Sequence, residues 1–225
     1  MNTKKITSIT LALAVLFSFT VSCTAIQNSN NTQKGAGIGV AAGALIGGLI
    51  GGNIGGALIG AAVGGAAGGL IGNKMDKQAD MIEEAVPGAE VKRVGEGIQI
   101  VFDDKSGVNF ALNSAELTVA AKQNLDAITE IFIEFPDTKL MIEGHTDDTG
   151  AESYNMSLSK KRAQSVANYF KSKGVSGSRF SVEGFGETAP RYKNDSDANR
   201  VKNRRVEIGV AANDKMIQDA KAQAN

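Results

Sequence analysis

The sequence predicts an α/β domain of about 115 residues, with helices on one face of a mixed sheet, preceded by a glycine-rich helical hairpin. Three patterns support this prediction. Apolar residues alternate in several short stretches after residue 94, as they do in strands. Two longer segments have apolar residues every three or four positions, as in amphipathic helices. Before the domain, residues 35–72 contain no charged residue and are rich in glycine.

Residues 1–22 have the features of a secretory signal and are set aside from the fold. Lys4 and Lys5 precede an apolar run, Leu11–Phe19, which is too short to span a membrane. The segment Thr20-Val21-Ser22-Cys23 resembles the lipobox of bacterial lipoproteins. This resemblance implies that Cys23 is acylated and becomes the mature N-terminus, so that membrane lipid is a partner. Residues 23–34 are then predicted to form a short polar tether.

The glycine-rich segment 35–72 has glycine at every fourth position in two overlapping series. Positions four apart stack on one face of a helix, and a glycine face allows close approach of another backbone. Asn53 divides the segment into halves that would each be about 27 Å long as helices, close to one hydrocarbon thickness. We therefore expect a helical hairpin that turns at Gly51–Asn53. A flexible glycine and alanine linker is the alternative.

The first half of the domain follows a polar segment, residues 73–93, that we interpret as a connector because Pro87 and Gly88 interrupt it. A first strand is predicted from the alternation at 98–102. A helix is expected after Ser114, a suitable N-cap, and before Pro136. Its apolar stripe consists of Leu117, Ala121, Leu125, Ile128, Phe132 and Phe135.

The second half of the domain begins with a strand at Leu140 and Ile142 that runs into Gly144. A helix is predicted over about 152–173, with Gly174 at its C-terminal end. Two further strands follow, one at Phe180 and Val182 and one at 206–210. The predicted order is β-α-β-α-β-β within residues 94–213, and residues 214–225 form a polar tail with helical tendency.

The densest polar cluster, residues 143–150, lies where the second predicted strand ends. Loops at strand ends commonly bind ligands in α/β sheets. The next helix has Arg162 in an apolar stripe with Leu158, Val166 and Phe170, and a guanidinium near a core is costly unless it is paired. An Arg162–Asp147 salt bridge with a purely structural role would explain this position. A cation and an anion that together bind a zwitterionic ligand would explain it equally well.

A family resemblance favours the second interpretation. The segment Glu143-Gly144-His145-Thr146-Asp147 closely resembles the signature of OmpA-like peptidoglycan-binding domains. Further matching positions are Gly150, Asn155, Leu158, Ser159, Arg162, Ala163, Gly184, Phe185, Gly186, Pro190, Asn194, Arg200, Asn203, Arg204, Arg205, Val206 and Glu207. The resemblance covers about residues 98–212, and Asn199 departs from it at a position where the family usually has glycine. The glycine-rich segment together with residues 73–78 also resembles a subgroup of lipoproteins in this family.

The resemblance implies that Asp147 and Arg162 bind the free end of diaminopimelate in the peptidoglycan stem peptide. That end has an ammonium and a carboxylate on one carbon, which suit an aspartate and an arginine respectively. Thr146 and Asn155 are expected to be neutral supporting contacts. Arg204 is expected either near the same pocket or as a cation at the edge of the sheet.

The remaining polar residues of this region have simpler interpretations. Lys160 and Lys161 form a solvated helix face. Glu143 either orients one of the arginines or faces solvent, and His145 is expected to be a structural hydrogen-bonding residue. A zinc enzyme is disfavoured because the chain has one histidine, so neither a metal nor another cofactor is expected. The balance of 24 basic and 24 acidic residues does not suggest nucleic-acid binding.

The sequence therefore predicts a lipid-anchored protein of the outer membrane, without enzymatic activity, whose globular domain binds peptidoglycan in the periplasm. In the alternative, the glycine-rich segment forms a homo-oligomer that acts as a pore or an assembly platform, with the OmpA-like domain as its anchor. An ion-driven stator is disfavoured because residues 35–72 contain no ionisable side chain.

Overall fold

The computed structural model describes residues 65–103, 107–108, 110 and 113–224. Cys23, the tether and the predicted hairpin turn at Gly51–Asn53 lie outside these residues. The described helices are α1 (Gly65–Ala85), α2 (Val119–Glu134), α3 (Glu152–Ser172), α4 (Asp197–Asn203) and α5 (Asp214–Ala224). The strands are β1 (Glu90–Val94), β2 (Gly97–Phe102), β3 (Thr138–Gly144), β4 (Phe180–Gly184) and β5 (Val206–Ala212).

The five strands form one mixed sheet in the order β1-β2-β5-β3-β4. Only β3 and β4 run parallel; the other neighbours are antiparallel. Cross-strand partners such as Ile100 and Ile208, or Leu140 and Val210, place large apolar residues on one face of the sheet. That face packs against α1, α2 and α3 in one core. The predicted α/β class, with helices on one face of a mixed sheet, is confirmed.

Helix α1 differs from the predicted connector. The stretch 73–93 contributes most of α1 and all but one residue of β1, and both belong to the domain. Ile71, Met75 and Ile82 are fully buried in the core because their spacing of four and seven residues places them on one face of α1. Glycine and charged residues dominate the rest of the helix and obscure this stripe in the sequence.

The C-terminal segment also differs from the predicted polar tail. It forms α5, which packs against α1 through buried Met216 and Ala220, four residues apart on one helical face. In the described part of the chain, none of the helices has the length and apolar character that a membrane crossing requires.

The predicted N-cap of α2 is also corrected. The helix begins at Val119, and the capping side chain is Thr118, whose hydroxyl accepts a hydrogen bond from the backbone N–H of Ala121 at 3.1 Å. Ser114 lies one turn earlier and accepts a hydrogen bond from Glu116 N–H. Ser114 therefore belongs to a turn that precedes the helix.

A candidate ligand pocket at the end of strand β3

The loop after β3 is held by backbone hydrogen bonds on two sides. The N–H of His145 donates to the carbonyl of Arg205 at 3.0 Å, at the start of β5. The N–H of Thr146 donates to the carbonyl of Gly186 at 2.9 Å, just beyond β4. These bonds extend the sheet pairing past the strand ends. They fix the backbone immediately before Asp147.

Helix α3 lies unusually close to the ends of β3 and β4 because three glycines leave room for it. A Cβ atom on Gly144 would come within 2.1 Å of the carbonyl oxygen of Ser159. One on Gly184 would come within 2.4 Å of the backbone nitrogen of Lys160. Gly186 has a φ of +51° and lies against the backbone of Met156. This contact brings the α3 side chains Asn155 and Arg162 to the loop.

Asp147 is a buried carboxylate with strong hydrogen-bond donors. Its Oδ1 accepts from the N–H of Thr149 at 2.9 Å, and its Oδ2 accepts from Nη1 of Arg204 at 2.7 Å. Burial raises the pKa of Asp147, but the hydrogen bonds from Arg204 and Thr149 outweigh burial and hold the pKa below its ordinary value. The side chain is therefore an anion at neutral pH.

Arg162 is buried in the stripe that the sequence indicated, with 8% of its surface exposed. Its Nε donates to the carbonyl of Ser114 at 3.0 Å, and its guanidinium lies over the ring of Phe110 at 5.1 Å from the ring centroid. The cation that binds Oδ2 of Asp147 is Arg204, whereas the sequence had suggested Arg162 for this salt bridge.

Thr146 in the loop and Asn155 in α3 lie in the same region as Asp147 and Arg162. The hydroxyl of Thr146 is buried and has no hydrogen-bond partner within the described residues. The side-chain amide of Asn155 donates to the carbonyls of Asp147 and Thr149 and to a carboxylate oxygen of Glu187, the last at 2.6 Å. Asn155 therefore fixes the shape of the loop that presents Asp147.

Arg204 follows the short helix α4, which begins with Ser196 as its N-cap. Within α4, Arg200 pairs with Asp148 at 3.0 Å, next to the Arg204–Asp147 pair. Two arginines four residues apart thus bind two consecutive aspartates of the loop. Asn199, the departure from the family signature, donates its backbone N–H to Ser196 within this cap.

These side chains surround one open cavity of about 450 Å³. All five residues that the sequence analysis selected for ligand binding line it: Thr146, Asp147, Asn155, Arg162 and Arg204. The volume lies within the range of about 300–1,000 Å³ that is typical of small-molecule sites. Other lining residues are Phe110, Asn113, Thr149, Tyr154 and Leu158.

His145 does not line the cavity and lies in a buried polar cluster. Its ring stacks on Phe185, and its Nε2 lies 3.8 Å from a carboxylate oxygen of Glu143 and 3.9 Å from one of Glu207. Burial, helped by the positive charges of Arg205 and Arg191, outweighs these carboxylates and lowers the pKa of His145 to about 2. The imidazole is therefore neutral. Among the described residues, no group of three His, Cys, Asp or Glu side chains is arranged to hold a metal ion.

The wall of the cavity that Phe110, Asn113 and Tyr154 form was not predicted from the sequence. Phe110 and Asn113 lie before α2, outside any helical or strand periodicity, so their place in the cavity depends on the tertiary fold. Tyr154 precedes Asn155 and was identifiable from the sequence only as an aromatic residue next to a predicted site residue; in the structure it is exposed. The Arg204–Asp147 pair was also missed, because it joins residues 57 positions apart.

Comparison with known proteins gives two family matches. Residues 109–204 match the model of the OmpA family, and residues 1–76 match the YMGG-like Gly-zipper model. Similar proteins include "Probable lipoprotein YiaD" of Escherichia coli (strain K12), 36% identical over 61% of this chain and 63% of that protein. The "Peptidoglycan-binding protein ArfA" of Mycobacterium tuberculosis (strain H37Rv) is 32% identical over 61% of this chain and 43% of that protein.

A third relative is the "Outer-membrane lipoprotein YfiB" of Pseudomonas aeruginosa, which is 37% identical over 49% of this chain and 66% of that protein. The matched segments thus span less than two thirds of the length of these three relatives.

Solved structures have the same fold. A protein described as MotB-like from Desulfovibrio vulgaris superposes with a TM-score of 0.57 at 25% identity, covering 63% of this chain and 93% of the other. The cell wall anchor of the T6SS from Pseudomonas aeruginosa gives a TM-score of 0.53 at 25% identity, covering 61% and 96%. The chain therefore resembles the OmpA family over residues 109–204 and the YMGG-like Gly-zipper family over residues 1–76.

Proposed function

We propose that the cavity at the end of β3 binds the stem peptide of peptidoglycan non-covalently, through its diaminopimelate residue. The observation that carries this proposal is the convergence of a buried carboxylate, a buried guanidinium and a buried hydroxyl on one cavity. Their chain positions span two elements, β3 with its loop and α3, so the convergence depends on the fold and not on sequence proximity.

The chemistry of the three groups fits the free end of diaminopimelate. The ionised Asp147 accepts hydrogen bonds from the ammonium, and two of its approximately four lone-pair positions are already used by Thr149 and Arg204. Arg162 binds the carboxylate through charge-assisted hydrogen bonds. The hydroxyl of Thr146 supplies a further donor or acceptor. Arg204 keeps Asp147 ionised and adds positive charge at the mouth of the cavity.

The names of similar proteins support this assignment. ArfA is named as peptidoglycan-binding, and one matched structure is described as a cell wall anchor. YiaD and YfiB are named as lipoproteins, the latter of the outer membrane. We extend these properties to this chain as a tether, in which acylated Cys23 lies in the outer membrane and the domain binds the wall in the periplasm.

In the proposed role the domain binds peptidoglycan without catalysing a reaction on it. The chain's single histidine, a common general base, is 1% exposed and neutral with a pKa of about 2, and it does not line the cavity. The Asp147 carboxylate is occupied by Arg204 and Thr149, an arrangement that favours charge recognition over proton transfer. Release of soluble fragments from purified peptidoglycan by the protein would contradict this part of the proposal.

Co-sedimentation of the purified full chain with peptidoglycan sacculi tests the proposal. We expect Asp147→Asn and Arg162→Gln to abolish most of the pelleted fraction. The matched controls are Asp76→Asn and Arg93→Gln, which make the same charge changes in an ion pair of 2.7 Å between α1 and β1, away from the cavity. Equal loss in the control variants, or no loss in the pocket variants, would contradict the assignment of the site.

A second candidate function is supported by the YMGG-like Gly-zipper match over residues 1–76. In this alternative, the glycine-rich segment forms a homo-oligomer that acts as a pore or an assembly platform. Chemical crosslinking in membranes discriminates the two. Oligomers that disappear when residues 35–64 are deleted would support the platform. Oligomers that persist in the deletion variant would remove this alternative.

A further inference from the structure

A turn lies between β2 and α2, and its described residues, Phe110 and residues 113–117, include two that line the cavity. Phe110 and Leu117 pair as an antiparallel bridge at the base of this turn. Asn113, at its tip, has a φ of +52°, in the left-handed region that asparagine tolerates better than most residues. Both Phe110 and Asn113 line the cavity. Phe110 and Asn113 are therefore part of the wall of the pocket.

This turn contacts Arg162 in two ways that together define the orientation of its guanidinium. The ring of Phe110 lies against the guanidinium, 5.1 Å from the ring centroid to Cζ. The carbonyl of Ser114 accepts a hydrogen bond from Nε at 3.0 Å. A ring face restrains the tilt of a planar group, and a hydrogen bond to Nε restrains its rotation within the plane. The arginine is thus pre-oriented before a ligand arrives.

We propose that Phe110 is a positioning residue that fixes the guanidinium plane of Arg162 and thereby makes the pocket selective for a ligand side chain that ends in a carboxylate. This inference rests on the proposed function and deepens it. Bidentate binding of a carboxylate requires coplanar groups, so it is sensitive to the tilt of the guanidinium. An ammonium bound at Asp147 makes no such demand on Arg162.

The test compares two stem tripeptides that differ in their third residue, one with meso-diaminopimelate and one with L-lysine. Lysine keeps the side-chain ammonium but lacks the second carboxylate. In the full chain, Phe110→Leu keeps an apolar side chain and removes the aromatic face. We expect this variant to bind the diaminopimelate peptide roughly 3- to 30-fold more weakly. Binding of the lysine peptide should stay within about twofold, and Phe110→Tyr should restore the preference.

A measurement on the free protein separates this inference from the proposed function. Stacking shifts the side-chain NMR resonances of Arg162 through the ring current of Phe110, and Phe110→Leu should remove that shift without any ligand. An unchanged shift, or an equal loss of affinity for both peptides, would overturn the positioning role. A wild-type protein that binds neither peptide but shows the ring-current shift would refute the proposed function and the selectivity while leaving the contact established.

Discussion

Asp147 shows how its neighbours set the charge of a buried residue. Burial alone favours the neutral acid, yet the donors on both oxygens favour the anion and prevail. A group with a lowered folded-state pKa contributes stability that is present above its ordinary value of 3.8 and is lost as the pH falls through the lowered value. The pocket is therefore linked to the acid stability of the domain.

We predict that Asp147→Asn reduces the difference in the free energy of unfolding between neutral pH and strongly acidic pH. The variant should be less stable than the wild type at neutral pH, and the difference should shrink as the pH falls below 3.8. Urea unfolding midpoints measured across this range test the prediction. Asp80→Asn, at an exposed position of α1, is the control and should leave the pH profile unchanged. A constant difference at all pH values would contradict the linkage.

At the scale of residues, local spacing revealed only part of the site. Arg162 was identifiable because a charged residue interrupts an apolar stripe, and Asp147 because it follows a strand and matches a family signature. The partners of these two residues were not accessible in the same way. Arg204 reaches Asp147 only because α4 lies beside the loop, and Phe110 reaches Arg162 only because the tertiary fold places Phe110 next to α3.

The close contact of α3 with the ends of β3 and β4 determines where the α3 side chains lie in the pocket. We predict that Gly184→Ala destabilises the domain by about 1–3 kcal/mol, because the added methyl group would overlap the backbone of Lys160. It should also weaken stem-peptide binding, since α3 carries Asn155 and Arg162. Chemical denaturation measures the first effect and a peptide titration the second.

Gly72→Ala is the matched control for that substitution. A Cβ at this position in α1 would meet no neighbouring atom of the described residues within 4 Å, so the same change should stabilise the helix by about 0.5–1 kcal/mol. If Gly184→Ala were as well tolerated as Gly72→Ala, the close helix–strand contact would not be a constraint on the site.

A second prediction concerns the contribution of helix α1 to the stability of the domain. Met75 is fully buried, so Met75→Ala should destabilise the domain by about 2–5 kcal/mol. Met156→Ala, at an exposed position on α3, should change stability by less than about 0.5 kcal/mol. Thermal and urea unfolding of both variants test this. If Met75→Ala changed stability as little as Met156→Ala, residues 73–85 would be a connector and not part of the core.

The strands β2, β3, β4 and β5 and the helices α2 and α3 were predictable because each has a clear apolar period. The other elements were not. Strand β1 is mostly polar and pairs at the edge of the sheet, so its alternation is weak. Helix α5 buries only Met216 and Ala220, and α1 is buried against α5, α2 and the sheet edge, so the apolar faces of both helices acquire meaning only in the assembled fold. Helix α4 has seven residues, too few to show a period.

In the molecule as a whole, helix α1 begins within the glycine-rich segment and continues into the domain, where it is part of the core. A force on residues before α1 would therefore act directly on the core that supports the pocket, because Ile71 and Met75 lie in that core. In the proposed tether, this arrangement connects the lipid end to the wall-binding end without a loose joint at residues 73–93.

The lipid end of the tether is tested by Cys23→Ser. We predict that this variant moves from the membrane fraction to the periplasmic fraction when cells are fractionated, because in the proposed tether acyl chains on Cys23 provide the attachment. The isolated variant should still bind sacculi, since the pocket is unchanged. A variant that remains in the membrane fraction would show that Cys23 is not required and would favour attachment through residues 35–64.

The most direct test of the central claim is a calorimetric titration of the full chain with a diaminopimelate-containing stem peptide, alongside Asp147→Ala and Arg162→Ala. We predict saturable binding to the wild type and its loss in both variants, while their unfolding remains cooperative. Absence of binding to the wild type, or binding that survives in both variants, would contradict it and would leave Asp147 and Arg162 as structural residues of the fold.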